Sequence, residues 1–215
     1  MGTLGAMAAT TTTYRLERDG AERQLILLHG WSAEQHHLAA YVPLVDPDER
    51  FTAACPRAPH DLPEGDGASW YDGSDADSYR AAVDVVADTV AAEVERSGIG
   101  PERTVVGGFS QGGFLALSTV LRAGAPRYAG VWAICCSIRD VDGVELDRSS
   151  GSGDGRPALI QFGEHDPIIE PDRSRAAAST LADAGWDVTT HGYDMAHSQT
   201  IEMMVDARAW LAALA

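Results

Sequence analysis

One serine in this chain is crowded by glycines. The run Gly107-Gly108-Phe109-Ser110-Gln111-Gly112-Gly113 sets a single hydroxyl between two glycine pairs. A serine hydroxyl is a weak nucleophile at neutral pH. It needs a base to take its proton, and the base needs a third group to orient it. Glycines on both sides would let the backbone turn so sharply that the hydroxyl stands clear of its neighbours. A surface loop can have the same composition, so the meaning of the run depends on what flanks it.

Before the run, Thr104-Val105-Val106-Gly107 reads as a short buried strand. After it, residues 114–124 read as a helix stopped by Gly124. A serine at a strand-to-helix junction fits the G-x-S-x-G nucleophile elbow, here Gly108 to Gly112. Ser110 then stands at a helix N-terminus, where the dipole favours developing negative charge.

The elements that must hold this turn follow a regular rhythm. Short apolar runs alternate with helix-period segments, which predicts an α/β fold with a mostly parallel sheet and helices on both faces. Strands are expected at 24–30, 50–56, 104–108, 129–138, 157–163 and 186–193, after a hairpin strand near residues 13–20. Helices are expected at 33–45, 78–98 with Gly98 as C-cap, 114–124, 174–185 and 199–215. Two segments break the rhythm. Residues 58–75 are turn-rich, carry Trp70-Tyr71 and read as a loop lining a site; residues 139–157 are polar and Gly/Ser-rich and read as mobile surface.

The chain's 215 residues suit one domain, expected over 14–215 behind a flexible tail at 1–13. No apolar run approaches the roughly 18 residues needed to cross a bilayer, and the start lacks the pattern of a secretory signal. The 32 acidic residues outnumber 16 basic ones, all arginine, for a net charge of −16. Such a surface repels nucleic acid and anionic membranes, which excludes both as expected partners. The lysine-free acidic balance fits either salt adaptation or a GC-rich genome. Cys55, Cys135 and Cys136 form neither a disulfide framework nor a zinc signature, and they read as buried thiols of a cytoplasmic protein.

On an α/β-hydrolase scaffold the partners of the serine follow in the order acid, then histidine. That order removes His29, His36, His37 and His60 as the base. His165 adjoins the acid candidate and His191 falls on an expected strand, leaving His197, between the last strand and the last helix. For the acid, Asp166 just past the strand at 157–163 is preferred, with Asp140 one strand earlier as runner-up. An oxyanion hole needs two backbone N–H groups. Gln111, after the nucleophile, should supply one, and Trp31, in the loop after Leu28-His29-Gly30, the other. His29 and Gly30 are expected to shape that loop. His36-His37 has no partner at metal-ligand spacing, so no metal is assigned.

The chain resembles the carboxylesterase, phospholipase and acyl-protein thioesterase group of small α/β-hydrolases from about residue 24 onward. The motifs that carry the likeness are LLHGW, CPRAP followed by WYD, GFSQGG, FGEHDPII and YDMAHS. The resemblance implies Ser110 as nucleophile, Asp166 as acid, His197 as base, and Trp31 and Gln111 at the oxyanion hole, with no large cap. The family usually has a smaller aliphatic residue where this chain has Trp31. Trp31, Trp70, Tyr71, Ile168 and Met195 are candidates to line the substrate pocket, while Asp72 is expected to anchor its loop.

The expected activity is hydrolysis of small to medium-chain carboxylic esters, without a cofactor, through a Ser-His-Asp triad and an acyl-enzyme. Thioesterase or lysophospholipase activity is the alternative within the group. A non-catalytic ligand receptor is the rival outside it, although such proteins often lack a triad member. Lyases of this scaffold commonly add a lysine, and this chain has none.

Overall fold

Alternation of side chains on β-branched and aliphatic runs organises the fold. In the computed structural model, which describes residues 12–65 and 67–214, seven strands form one sheet. They are β1 (Thr13–Leu16), β2 (Arg23–Leu28), β3 (Phe51–Pro56), β6 (Thr104–Phe109), β7 (Gly130–Ile134), β8 (Pro157–Gly163) and β9 (Asp187–Tyr193). Their order is β1-β3-β2-β6-β7-β8-β9, with β1 antiparallel and the others parallel. A separate two-stranded ribbon, β4 (His60–Asp61) with β5 (Ala68–Ser69), lies in the long loop after β3.

The central strands are buried on both faces, as strands covered on two sides must be. On β2, Ile26 and Leu28 face one apolar cluster while Leu25 and Leu27 face the other. The first cluster is closed by α3 (Ala76–Ser97), α4 (Gln111–Leu121) and α5 (Pro171–Asp183). The second is closed by α1 (His36–Ala39), α2 (Val42–Val45) and α6 (Ile201–Ala213). Helix α4 is buried from Gly112 to Leu121, which explains its almost unbroken apolar sequence. No described helix is long and apolar enough to cross a membrane.

Several expectations need correction. Strand β1 does not form a hairpin with β2; it pairs with β3, Thr13 opposite Pro56 and Leu16 opposite Ala53. The helix expected at 33–45 is two short ones, and Pro43 sits in the first turn of the second, where its missing N–H costs nothing. Helix α4 starts at Gln111 rather than residue 114.

The segment 139–157 is anchored rather than loose. Ala123 N–H donates to the Glu145 carbonyl at 2.9 Å, Asp147 N–H to Leu121 at 2.7 Å, and Gly153 N–H to Ala184 at 2.7 Å. Val141, Val144 and Leu146 pack against the first cluster. The tail expected over 1–13 lies outside the described residues as far as residue 11, and β1 begins at Thr13.

Candidate active site

The turn around Ser110 is as tight as its glycines suggested. Ser110 has φ 51° and ψ −118°, a conformation that costs a non-glycine residue about 1–3 kcal/mol. It is pinned on both sides. Its N–H donates to the Ile134 carbonyl of β7 at 2.9 Å, and its own carbonyl accepts from Phe114 N–H at 3.0 Å. A Cβ on Gly108 would strike the Gly112 backbone, and one on Gly112 would strike the Leu28 carbonyl of β2. Only glycine lets β6, α4 and β2 meet this closely.

The loop between β9 and α6 brings His197 to the serine. His197 Nε2 lies 2.9 Å from Ser110 Oγ, and Nδ1 lies 2.6 Å from Asp166 Oδ2. Asp166, in the loop after β8, is only 4% exposed. Its other oxygen accepts from the N–H groups of Ile168 at 2.8 Å and Ile169 at 2.9 Å. A carboxylate can only accept at Nδ1, so that nitrogen carries the imidazole proton and Nε2 presents its lone pair to the hydroxyl.

The other candidates lie elsewhere. Asp140 is exposed and paired with Arg148, and His165 is exposed against Asp194 at 2.9 Å. His191 sits 3.9 Å from Asp206.

A third group adjoins this pair. The ligand-capable atoms of Cys135, Asp166 and His197 lie within 4.8 Å of one another. The donor set suits a cation poorly. Burial pushes the Cys135 thiol up to about 12, so it stays protonated, and both Asp166 oxygens already accept hydrogen bonds.

Two loops wall the site. His29 is buried at the end of β2, where Nε2 accepts from Ala58 N–H at 2.9 Å and Nδ1–H donates to the Gly30 carbonyl at 2.7 Å. Its carbonyl in turn accepts from the Trp70 indole N–H at 2.8 Å. Burial pushes the His29 imidazole down to about 4 and keeps it neutral, which suits the structural place expected for it.

Gln111 clamps the same region with its side chain, a use the sequence did not disclose. Oε1 accepts from Trp70 N–H at 3.1 Å and from Ser69 Oγ at 3.2 Å, and Nε2 donates to the Tyr71 carbonyl at 2.9 Å. Asp72 accepts from Ser74 N–H at 2.9 Å, which folds the loop on itself as expected.

Ser110, His197, Gln111 and Trp31 all line one cleft of about 620 Å³. As the first residue of α4, Gln111 carries one of the helix's unpaired N–H groups at the serine. Trp31 lies where Ser32 N–H donates to Ala68 at 3.1 Å and Ala33 N–H to Gly30 at 3.3 Å, a turn that fixes the backbone around it.

Of the side chains expected to form the pocket, Trp31, Tyr71 and Ile168 line the cleft. Trp70 and Met195 do not. Trp70 is fully buried behind its bond to His29, and Met195 packs into the second cluster. The sequence reading missed Phe109, Phe114, Ile169, Arg139 and Arg173. The first two were accessible in principle, since they flank Ser110 at i−1 and i+4.

A mostly parallel sheet with helices on both faces and a strained serine between strand and helix defines the α/β-hydrolase fold class. The family follows from the sequence: residues 15–215 match the Phospholipase/Carboxylesterase model, and the chain belongs to that family. Acyl-protein thioesterase 1 of Gibberella zeae is 31% identical over 117 residues, 54% of this chain and 49% of that protein. The chain spans about half or less of the length of the curated relatives it matches. Among solved structures, esterase PE8 superposes with a TM-score of 0.81 at 23% identity, covering 95% of this chain and 99% of the other. A Bacillus cereus carboxylesterase gives 0.81 at 17% identity, with 96% of each chain covered. These structural likenesses concern the fold.

Proposed function

We propose that the protein hydrolyses small to medium-chain carboxylic esters by a serine mechanism, with residues 14–215 acting as one domain. The single observation that carries this reading is the unbroken line from Asp166 through His197 to Ser110, with links of 2.6 and 2.9 Å.

In this mechanism His197 takes the Ser110 proton as Oγ attacks the ester carbonyl. Asp166 holds the imidazole in its tautomer and stabilises the imidazolium. The backbone N–H groups of Gln111 and Trp31 receive the oxyanion. The alcohol leaves with the proton from His197, and water then cleaves the acyl-enzyme by the same route. Phe109, Phe114, Tyr71 and Ile169 offer the acyl chain an apolar wall, while exposed Trp31 and Ile168 leave the mouth open. No cofactor takes part in these steps. Three free, buried cysteines are in keeping with work in a reducing cytoplasm.

The test is hydrolysis of nitrophenyl esters from acetyl to palmitoyl, with Ser110→Ala alongside, in low and high potassium chloride. Turnover peaking at short or medium chains and falling about 10⁴–10⁶-fold in the variant is expected. Folded protein with no turnover on any ester would favour the ligand-receptor reading.

The name of the relatives, acyl-protein thioesterase, supports thioester hydrolysis as the second reading. Matched oxygen esters and thioesters of one acyl chain, compared by kcat/KM, separate the two.

A further inference from the structure

The cleft holds a charge pattern that a plain lipid ester does not use. The chain has 16 arginines, and most of them sit against a carboxylate. Arg139 and Arg173 differ. Both line the cleft beside Ser110 and His197, and among the described residues neither has a carboxylate within ion-pair distance. None of the described residues lining the cleft is Asp or Glu, in a chain with 32 of them.

Their placement leaves the charges available. The half-buried Arg139 guanidinium lies over the rings of Tyr71, at 5.4 Å, and Tyr79, at 4.7 Å. One of its N–H groups donates to the Gly73 carbonyl at 3.1 Å. Arg173, exposed at the start of α5, lies 5.8 Å from the centre of the Phe114 ring. A guanidinium stacked on an aromatic face keeps its edge free, and that edge matches a carboxylate or phosphate through paired N–H bonds. Burial pushes the Tyr71 phenol up to about 12 while both arginines pull it the other way, so their charges are felt at the cleft wall.

From this geometry we infer that the preferred substrate is an ester carrying a second, unreacting anionic oxyacid group, bound by Arg139 and Arg173 while Ser110 attacks the ester carbonyl. This rests on the esterase reading above and narrows its substrate class. In a protein of net charge −16, a local pair of cations offsets the repulsion that an anionic ester meets on its approach to the cleft. The anion takes no part in bond making; its binding positions the ester.

The test compares kcat/KM on matched pairs: monomethyl adipate against methyl hexanoate, with the charge on the acyl side, and 4-acetoxybenzoate against 4-methylphenyl acetate, with it on the alcohol side. The anionic member of at least one pair should lead by about tenfold or more. Arg139→Gln and Arg173→Gln should each cut that lead about three- to tenfold, the anionic ester losing more kcat/KM than its neutral partner, and Arg139→Lys should restore part of the lead. Molar potassium chloride should shrink the lead, since screening shortens to about 3 Å.

Adipate and glycerol phosphate, compared as competitive inhibitors, decide between carboxylate and phosphate; competition by either supports the anion site. A neutral preference in both pairs, or variants that lower both members alike, would overturn the inference and leave the esterase reading standing. If no ester is turned over, the esterase reading fails instead. Calorimetric binding of adipate to the wild-type protein and to Arg139→Gln then decides the anion site alone: a loss of affinity in the variant supports it, and no binding by either overturns it.

Discussion

The side-chain amide of Gln111 is hydrogen-bonded to the main chain of Tyr71, Nε2 to carbonyl oxygen at 2.9 Å, and so ties the residue after the serine to the opposite wall of the cleft. With the bonds from Trp70 and Ser69 to Oε1, one side chain fixes both the first turn of α4 and the Trp-Tyr loop. Gln111→Ala would leave the Trp70 N–H and the Tyr71 carbonyl without those partners. We expect a loss of about 1–3 kcal/mol in stability and about 10–100-fold in kcat/KM. Urea unfolding and steady-state kinetics measure the two. Unchanged values in both would show that the loop is held by other contacts.

Asp166→Asn keeps the volume of the acid but can offer Nδ1 of His197 a donor in place of an acceptor. If Asp166 orients the base as proposed, kcat should fall by about 10⁴-fold. The Ile168 and Ile169 amides can still be accepted by the Asn oxygen, so unfolding by heat should move little. A loss of activity below tenfold would mean that the imidazole keeps its tautomer without the carboxylate. Asp140→Asn serves as the control, because Asp140 lies at the exposed surface and its change should leave kcat as it was.

Glycine positions separate two kinds of constraint. At Gly112 a Cβ meets the Leu28 carbonyl, whereas at Gly124 it meets open space but φ is +77°. Gly112→Ala should therefore cost more than about 3 kcal/mol or abolish folding, since backbone must move in a packed core. Gly124→Ala should cost only about 1–2 kcal/mol of backbone strain. Denaturant midpoints give the comparison. Equal costs would show that β2 and α4 can part without penalty.

These contrasts also mark what the sequence could reveal. The serine turn was legible because local chemistry writes it locally: Gly108, Ser110 and Gly112 must occupy adjacent positions for the elbow to form. Asp166 was legible because it follows the apolar run of β8, and His197 because it stands in the stretch between the last expected strand and the last helix, where the order of the triad asks for a base. The pairing of β1 with β3 was not legible, since Thr13–Leu16 can satisfy its backbone against either neighbour and only the whole sheet decides. Arg139 and Arg173 were hidden for a similar reason. Each lies in a polar stretch, and only the packing of the chain after β7 and at the start of α5 turns those side chains into the cleft. Trp70 misled in the opposite sense: an aromatic pair near a site suggested contact with substrate, yet its indole is used to hold His29.

His29 gives a prediction that is independent of catalysis. It is 1% exposed, and burial holds its imidazole at about 4 against about 6.5 in an unfolded chain. Between those values the unfolded state binds the extra proton, so stability rises with pH across the window. The stabilisation is present above about pH 6.5 and is lost as pH falls toward 4, up to about 3 kcal/mol in all. Many carboxylates titrate in the same range, so the informative quantity is the gap between wild type and His29→Gln, whose side chain carries no titrating group. The variant should be the less stable at pH 7, because the bonds to Ala58 and Gly30 are disturbed. That gap should narrow as the pH is lowered from 7 to 4.5, as read from urea unfolding at each pH. A gap that stays constant would mean that His29 titrates alike in the folded and unfolded chains, and that its buried, neutral place between β2 and the loop after β3 is wrong.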